Sequence, residues 1–191
     1  MRSCRKRSYS SRIHQLGLLQ FMDGSGSVLS PRRAARVVYL RSMQIVLVHI
    51  GARPNSRDPL DGLISIYFDR CSAFARCEAE VFRTEQAFFT WLDRQQRRTP
   101  AITVLLDGRG RQMSSEKFAE WLGSQRDRGA QQIVFAIGPA DGWSEDSRKR
   151  ASVLMSLGPM TLAHAIARVV LAEQIYRAFT ILTGHPYHSG H

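Results

Sequence analysis

The sequence predicts an α/β fold with a mostly parallel sheet covered by helices. Its 191 residues are 43% apolar and 9% aromatic, which is enough to build a hydrophobic core and excludes a wholly disordered chain. From Met43 onward, short apolar runs alternate with longer segments in which apolar residues recur at helical spacing. Strands that alternate with crossover helices are typical of a parallel sheet with both faces covered.

Five short apolar runs predict the strands. We expect strands at Gln44–Ile50, Cys77–Phe82, Ala101–Asp107, Gln131–Ile137 and Ala151–Leu157.

The segments between these runs predict helices. One helix face collects Leu60, Leu63, Ile64, Tyr67, Phe68 and Cys71, a second Phe88, Trp91 and Leu92, and a third Phe118, Trp121 and Leu122. Ser114 and Ser115 supply capping chemistry before the third helix, and Gly129 a stop after it. A short polar helix is expected at about Ser144–Arg150, and the longest helix at about Thr161–Thr183.

The chain divides into residues 1–42 and residues 43–191. The first segment holds nine basic residues and one acid, so +8 of the net charge of +11 lies there. It is rich in arginine and serine, and we expect a disordered extension or translation from a start codon assigned too early, with Met43 as the true start. An organellar transit peptide and a basic RNA-binding arm are the alternatives.

Composition limits the class of protein. The positive charge favours a polyanionic partner such as RNA or DNA. Three cysteines without a Cys-x-x-Cys pair argue against a disulfide framework or a cysteine zinc site and favour a reducing compartment. No apolar run approaches the roughly 20 residues of a membrane-spanning helix. We expect a soluble, cytoplasmic protein.

Three loops rich in glycine or proline follow predicted strands. They are residues 106–111, 137–143 and 157–162. Because ligands of parallel sheets bind beyond the carboxyl ends of the strands, these loops predict one pocket built largely from backbone groups.

The common catalytic motifs are missing from the sequence. Residues 108–113 begin like a dinucleotide fingerprint, but Met113 replaces its third glycine. There is no G-x-x-x-x-G-K-[ST] phosphate loop and no G-x-S-x-G elbow. His185, His188 and His191 are spaced by three, yet Pro186 prevents a continuous helix, so we expect no metal site.

The C-terminal third carries the most specific pattern. Residues 156–188 contain Ser-Leu-x-x-x-Thr-x-x-His, then an arginine, then Glu-x-x-Tyr-Arg-Ala, and close in Pro-Tyr-His. Two further motifs lie upstream, Leu-Asp-x-x-Gly-Arg at 106–111 and Ile-Gly-x-x-x-Gly at 137–142. In the order and spacing of these motifs, the chain from Met43 to His188 resembles the bacterial ribosomal large-subunit pseudouridine methyltransferase (RlmH) family of the SPOUT class.

The resemblance implies a fold, a cofactor and partners. It implies a trefoil knot in the C-terminal half of the sheet, S-adenosylmethionine as methyl donor, and a homodimer in which the long helix packs against the partner. The implied activity is methylation of ring nitrogen N3 of a pseudouridine in 23S rRNA on the assembled ribosome. The implied donor-binding residues are Leu106, Gly138, Leu157, Gly158, Pro159, Met160, Thr161 and Leu162.

Five further residues are candidates for contact with the substrate. The resemblance favours His188, Tyr187 and Arg177 as catalytic, and His164 and Arg168 as substrate-binding. Tyr187 suits stacking on the target base, and an arginine suits an anionic base or phosphate. Arg177 has an alternative partner in Glu173, four residues earlier, and His164 an alternative structural role.

This sequence departs from the family pattern at three positions. Pro139 stands where a second glycine is usual, Ala163 where a proline commonly precedes the histidine, and Gly158 where serine is common. Because proline has no N–H, Pro139 removes one backbone donor from the loop. The alternative function is therefore a catalytically inactive RNA- or ribosome-binding protein on the same scaffold.

Overall fold

A computed structural model describes residues 43–52, 58–96 and 100–189, without the side chains of residues 188 and 189. The predicted extension, residues 1–42, lies outside this part of the chain.

The described residues form one parallel sheet of five strands. The strands are β1 (Gln44–Ile50), β2 (Arg76–Phe82), β3 (Ala101–Gln112), β4 (Gln132–Ile137) and β5 (Val153–Ser156). Their order across the sheet is β2-β1-β4-β3-β5, and each neighbouring pair is parallel. The α/β class predicted from the alternating pattern is therefore confirmed.

Helices connect the strands and cover the sheet. They are α1 (Pro59–Cys71), α2 (Glu85–Gln96), α3 (Ser115–Asp127), α4 (Glu145–Lys149) and α5 (His164–Thr183), and a 3₁₀ helix follows at Pro186–Ser189. Ser114 caps α3 as predicted, since its side chain accepts a hydrogen bond from the Lys117 amide at 3.3 Å. Gly129 follows the end of α3 with a φ of +86°, a conformation that favours glycine.

Side chains of the central strands alternate between two hydrophobic layers. In β1, Ile45 and Leu47 lie in one layer, and Val46 and Val48 in the other. The first layer packs under α1, α3 and α5, and the second under α2 and the segment that leads into α4. Burial on both faces explains why these strands are almost continuously apolar.

The third strand is longer than the sequence suggests. Our prediction ended it at Asp107, but β3 continues to Gln112 because it pairs with β5 twice, with a register shift between Leu106 and Arg111. A Cβ atom on Gly110 would lie 2.5 Å from the backbone of Met155, so glycine permits this close approach.

The two C-terminal elements also differ from prediction. The predicted strand Ala151–Leu157 is shorter, at Val153–Ser156, and α5 begins at His164 rather than Thr161. Ala163 is the N-cap of α5 and makes no side-chain capping bond, which leaves residues 158–163 as a loop. The prediction was wrong here because apolar spacing continues into this loop.

In the described part of the chain, Cys71 and Cys77 are free thiols. Over the same residues, no helix combines the length and apolar character needed to cross a membrane.

Candidate functional site

Three loops at the carboxyl ends of β3, β4 and β5 enclose a cleft of about 450 Å³, which we call the loop cleft. Its size lies within the range typical of small-molecule sites. It is lined by Leu106–Arg109, Ile137–Ala140, Gly142, Trp143, Arg148, Ser156–Leu162, His164 and Ala167.

The loop cleft brings together the residues that the resemblance assigned to the donor. All eight of them line it, from Leu106 and Gly138 to the run Leu157–Leu162. His164, expected to bind substrate, lines it as well. Met160 is 79% exposed, so its side chain stands at the open side of the cleft.

The loop after β5 is shaped by short-range hydrogen bonds. The Ser156 hydroxyl donates to the Gly158 carbonyl at 2.9 Å and accepts from the Gly158 amide at 3.2 Å. Gly158 has a φ of +139°, which side-chain-bearing residues rarely adopt. The glycine that replaces the common serine therefore suits the backbone of this loop.

Trp143 fastens the loop after β4 to the end of β3. Its indole Nε1 donates to the Leu106 carbonyl at 3.0 Å, and the residue is 3% exposed. A Cβ atom on Gly138 would lie 2.9 Å from the indole ring, so the tryptophan packs directly on the glycine backbone. Trp143 is not among the site residues predicted from the sequence, although an aromatic residue directly after Gly142 is a visible signal.

Pro139 begins a tight turn in the same loop. Its carbonyl accepts a hydrogen bond from the Gly142 amide at 2.9 Å, and Gly142 has a φ of +79°. The turn uses the carbonyl of Pro139 and not the N–H that proline lacks. The departure from the family pattern is thus compatible with an ordered loop.

An ion-pair network joins the β3 loop to α4 beside the cleft. The Arg148 Nε donates to Asp107 Oδ2 at 2.6 Å, and Nη1 donates to Glu145 at 3.0 Å. Arg109 also donates to Glu145, at 2.6 Å. Burial alone would raise the pKa of Asp107, but the Arg109 amide and the Arg148 guanidinium hold it below its ordinary value.

Glu85 at the start of α2 anchors the N-terminal end of α4. Its carboxylate accepts from the Ser144 amide at 3.1 Å, from the Ser144 hydroxyl at 2.8 Å and from the Ser147 hydroxyl. Burial would raise the pKa of Glu85, and these bonds together with Arg148 lower it. The short helix is thereby fixed from both sides, which positions Arg148.

Arg168, expected to bind substrate, lies elsewhere. It is 7% exposed and pairs with Asp61 of α1 at 2.7 Å, and it is not among the residues that line the cleft. In this chain the guanidinium therefore ties α5 to α1. The expected role in substrate binding stays a prediction, and the structure adds a partner for this side chain 107 positions earlier in the chain.

The expected catalytic residues Arg177 and Tyr187 lie in a second group, the tail cluster, formed by Glu173, Tyr176, Arg177 and Tyr187. Glu173 Oε1 accepts from Arg177 Nε at 2.9 Å and from the Tyr187 hydroxyl at 3.2 Å. The Arg177 guanidinium carbon lies 5.2 Å from the centre of the Tyr187 ring. Burial, followed by the charge of Glu173, raises the pKa of Tyr187 to about 12.

The loop cleft lies at the first turn of α5, and the tail cluster lies along the second half of this helix. His164 and Arg177 are 13 positions apart along this helix, a separation of about 20 Å at the usual rise of 1.5 Å per residue. Neither Arg177 nor Tyr187 lines the cleft. His188 belongs to the C-terminal 3₁₀ helix, and its side chain lies outside the described part of the structure.

Metal ligands are not grouped in the described residues. Among them there is no set of three or more His, Cys, Asp or Glu side chains placed to hold an ion.

Comparison with known proteins supports a family assignment. The family model described as "Predicted SPOUT methyltransferase" matches residues 43–188. A ribosomal RNA large subunit methyltransferase H from Koribacter versatilis is 45% identical over 149 residues, which cover 78% of this chain and all of that protein. A protein of the same name from Rhodospirillum centenum is 54% identical over 88 residues, covering 46% of this chain and 58% of that one.

Among solved structures, a probable methylase family protein from Haemophilus influenzae aligns with a TM-score of 0.48 at 12% identity, covering 78% of this chain and 70% of the other. The extent of the family match and the full coverage of the Koribacter versatilis relative decide the assignment. The chain belongs to the ribosomal RNA large subunit methyltransferase H family of SPOUT methyltransferases.

Proposed function

We propose that this protein methylates ring nitrogen N3 of a pseudouridine in 23S rRNA on the assembled ribosome, using S-adenosylmethionine bound in the loop cleft. The observation that carries the proposal is that the eight residues assigned to the donor from sequence motifs converge in one cleft. The names of the relatives support rRNA as the substrate. A ribosomal substrate implies a cytoplasmic protein.

The chemistry of the cleft fits the donor. Three leucines, Leu106, Leu157 and Leu162, provide apolar surface for the faces of an adenine ring. The loops at Gly138 and Gly158 bring backbone amides and carbonyls to the cleft, and such groups can recognise the polar edge of adenine. S-adenosylmethionine supplies an electrophilic methyl group on a sulfonium, so the protein contributes mainly binding and orientation.

The tail residues supply the contacts to the target base. Ring nitrogen N3 carries a weakly acidic proton that must leave before or during methylation, so a nearby base or cation favours the reaction. We assign this region of the site to His188 and Tyr187, with Tyr187 suited to stacking. Arg177 is held by Glu173 against the Tyr187 ring, and its guanidinium is the cation that belongs to this cluster.

A homodimer would allow the two groups of residues to meet. In one chain the 13 positions of α5 from His164 of the loop cleft to Arg177 of the tail cluster span about 20 Å. Large apolar side chains are exposed on α1 and α5, namely Leu63 at 42%, Ile66 at 46% and Ile166 at 41%. We propose that these side chains pack against a second copy, so that the tail of one protomer serves the cleft of the other. We also propose, on family membership, that the C-terminal half contains a trefoil knot.

The proposal is tested on ribosomes from cells that lack the endogenous enzyme. Purified protein and S-adenosylmethionine are added, and 23S rRNA is analysed by mass spectrometry. We expect one new methyl group on a pseudouridine in assembled ribosomes and little in naked 23S rRNA. Calorimetry that detects no donor binding at high micromolar concentration would overturn the enzyme and favour the inactive RNA- or ribosome-binding alternative.

A tail variant separates the two halves of the site. His188→Ala is expected to lower the methylation rate by about 10²-fold, the usual contribution of a proton-transfer group, while donor affinity stays the same. Ser189→Ala, a change at the neighbouring tail position, is the control. Equal losses of methylation and donor binding in His188→Ala would contradict a role at the target base.

A further inference from the structure

Arg148 is a partly buried cation beside the loop cleft with one nitrogen unused. Its side chain is 14% exposed, and Asp107 and Glu145 accept from Nε and Nη1. A Cβ atom on Gly142 would lie 3.6 Å from Nη2, so this nitrogen sits beside a backbone segment that lines the cleft. Within the described part of the chain, Nη2 has no hydrogen-bond acceptor.

The proposed donor contains one anionic group, the carboxylate of its methionine half. Bringing a carboxylate out of water is costly unless a cation or several donors meet it. Among the described residues that line the cleft, Arg109, Arg148 and His164 can carry positive charge. Arg109 has a side chain that is 66% exposed, so solvent screens it far more than Arg148.

Arg148 is also the cation of the three that the fold holds most firmly. Asp107, with a side chain that is 6% exposed, fixes Nε, and its other oxygen accepts from the Arg109 amide at 2.8 Å. α4 is fixed in turn by Glu85. A planar guanidinium that is already oriented loses little further freedom when it binds an anion.

We propose that Arg148 binds the carboxylate of the donor's methionine half through Nη2, with Asp107 and Glu145 as the residues that position its guanidinium. The assignment rests on the proposed donor site and is independent of the RNA substrate. In this assignment the three leucines would hold adenine, and Arg148 of α4 would hold the methionine half.

The test compares two ligands that differ in one group. S-adenosylmethionine and its decarboxylated analogue are titrated by calorimetry into the wild-type protein and into Arg148→Met. A charge-assisted hydrogen bond contributes about 1.5–3 kcal/mol, which corresponds to roughly 10- to 150-fold in affinity. We expect Arg148→Met to weaken S-adenosylmethionine by that factor and the decarboxylated analogue by less than about twofold.

Two further variants keep the result interpretable. Lys149→Met removes a neighbouring charge from α4 that pairs with Asp146 at 3.1 Å with side chains 74% and 92% exposed, and it should change neither affinity. Asp107→Asn combined with Arg148→Met avoids leaving Asp107 as an unpaired carboxylate. This double variant should show the same selective loss and an unchanged circular-dichroism spectrum.

The outcomes distinguish the two proposals. Equal weakening of both ligands by Arg148→Met, or no weakening of S-adenosylmethionine, overturns the carboxylate assignment and leaves the donor site intact. Failure of the wild-type protein to bind either ligand overturns the donor site and with it the assignment.

Discussion

Glu173 is the residue on which the tail cluster depends. Its carboxylate accepts hydrogen bonds from Arg177, Tyr187 and Gln174, and Gln174 accepts from Ser115 at the start of α3. Tyr187 also packs on Tyr176, with ring centres 4.8 Å apart. One carboxylate thus connects the C-terminal 3₁₀ helix to α5, and α5 to α3. The Glu-x-x-Tyr-Arg-Ala motif therefore has a structural meaning in this chain.

The ionisation of Tyr187 reports this arrangement. Glu173→Gln removes a negative charge next to the phenol, so we expect the pKa of Tyr187 to fall from about 12 toward the ordinary value near 10. The measurement is an ultraviolet titration of tyrosinate, with Tyr187→Phe subtracted to isolate this residue. Burial also raises this pKa, so part of the shift should persist in Glu173→Gln.

The contrary result is a pKa of Tyr187 that stays the same in Glu173→Gln. It would show that the carboxylate does not face the phenol in solution. If Arg177 and Tyr187 depend on Glu173 for position, methylation should also fall in this variant while donor affinity is kept.

At the level of elements, the extension of β3 past Asp107 decides the shape of the loop cleft. The register shift forms a bulge, because residues 107–110 of β3 have no paired residues in β5 and pairing resumes with Arg111 opposite Met155 and Gln112 opposite Ser156. The bulge carries Gly108 and Arg109 to the cleft. Ser156 in turn holds the next loop through Gly158. The residues at which β3 pairs with β5 therefore also shape the wall of the loop cleft.

Gly108 and Gly110, the two glycines of this bulge, give a matched pair of variants. A Cβ on Gly110 would meet the Met155 backbone at 2.5 Å, whereas a Cβ on Gly108 would meet nothing within 4 Å. We expect Gly110→Ala to lower the free energy of unfolding by about 1–3 kcal/mol, as overpacking does, and Gly108→Ala to change it by less than about 0.5 kcal/mol. Urea denaturation followed by tryptophan fluorescence measures both. Equal stability of the two variants would mean that β3 and β5 do not approach so closely.

For the whole molecule, the sequence was most informative where apolar pattern alone decides structure. The cores of β1 and β4 are buried on both faces, so their runs were recognisable without other information. The second half of β3 is polar and pairs through its backbone, so pattern could not reveal it. The order of the motifs predicted which residues line the cleft, because the three loops follow parallel strands and therefore meet at the same edge of the sheet.

Long-range partners were beyond such reasoning. The pair between Arg168 and Asp61 joins residues 107 positions apart, and the bonds from Glu85 to Ser144 span 59. Nothing in the local sequence around Arg168 identifies Asp61 as its partner. The separation of Arg177 from His164 likewise follows from the helix between them, and only the structure shows that Arg177 and Tyr187 do not line the cleft of their own chain.

That separation makes the proposed dimer a condition for activity. Leu63→Glu combined with Ile66→Glu places two charges where exposed apolar side chains of α1 would meet a second copy. Burying these charges without partners is unfavourable, so we expect a monomer in light scattering at micromolar concentration. Each cleft remains complete in donor-binding residues, so donor affinity should stay within about twofold while methylation is lost.

Ala87→Glu is the control for this dimer variant. Ala87 is an exposed position on α2, the helix that covers the other face of the sheet, so the change should leave mass and activity unchanged. Full methylation by a proven monomer would show that tail and cleft of one chain suffice.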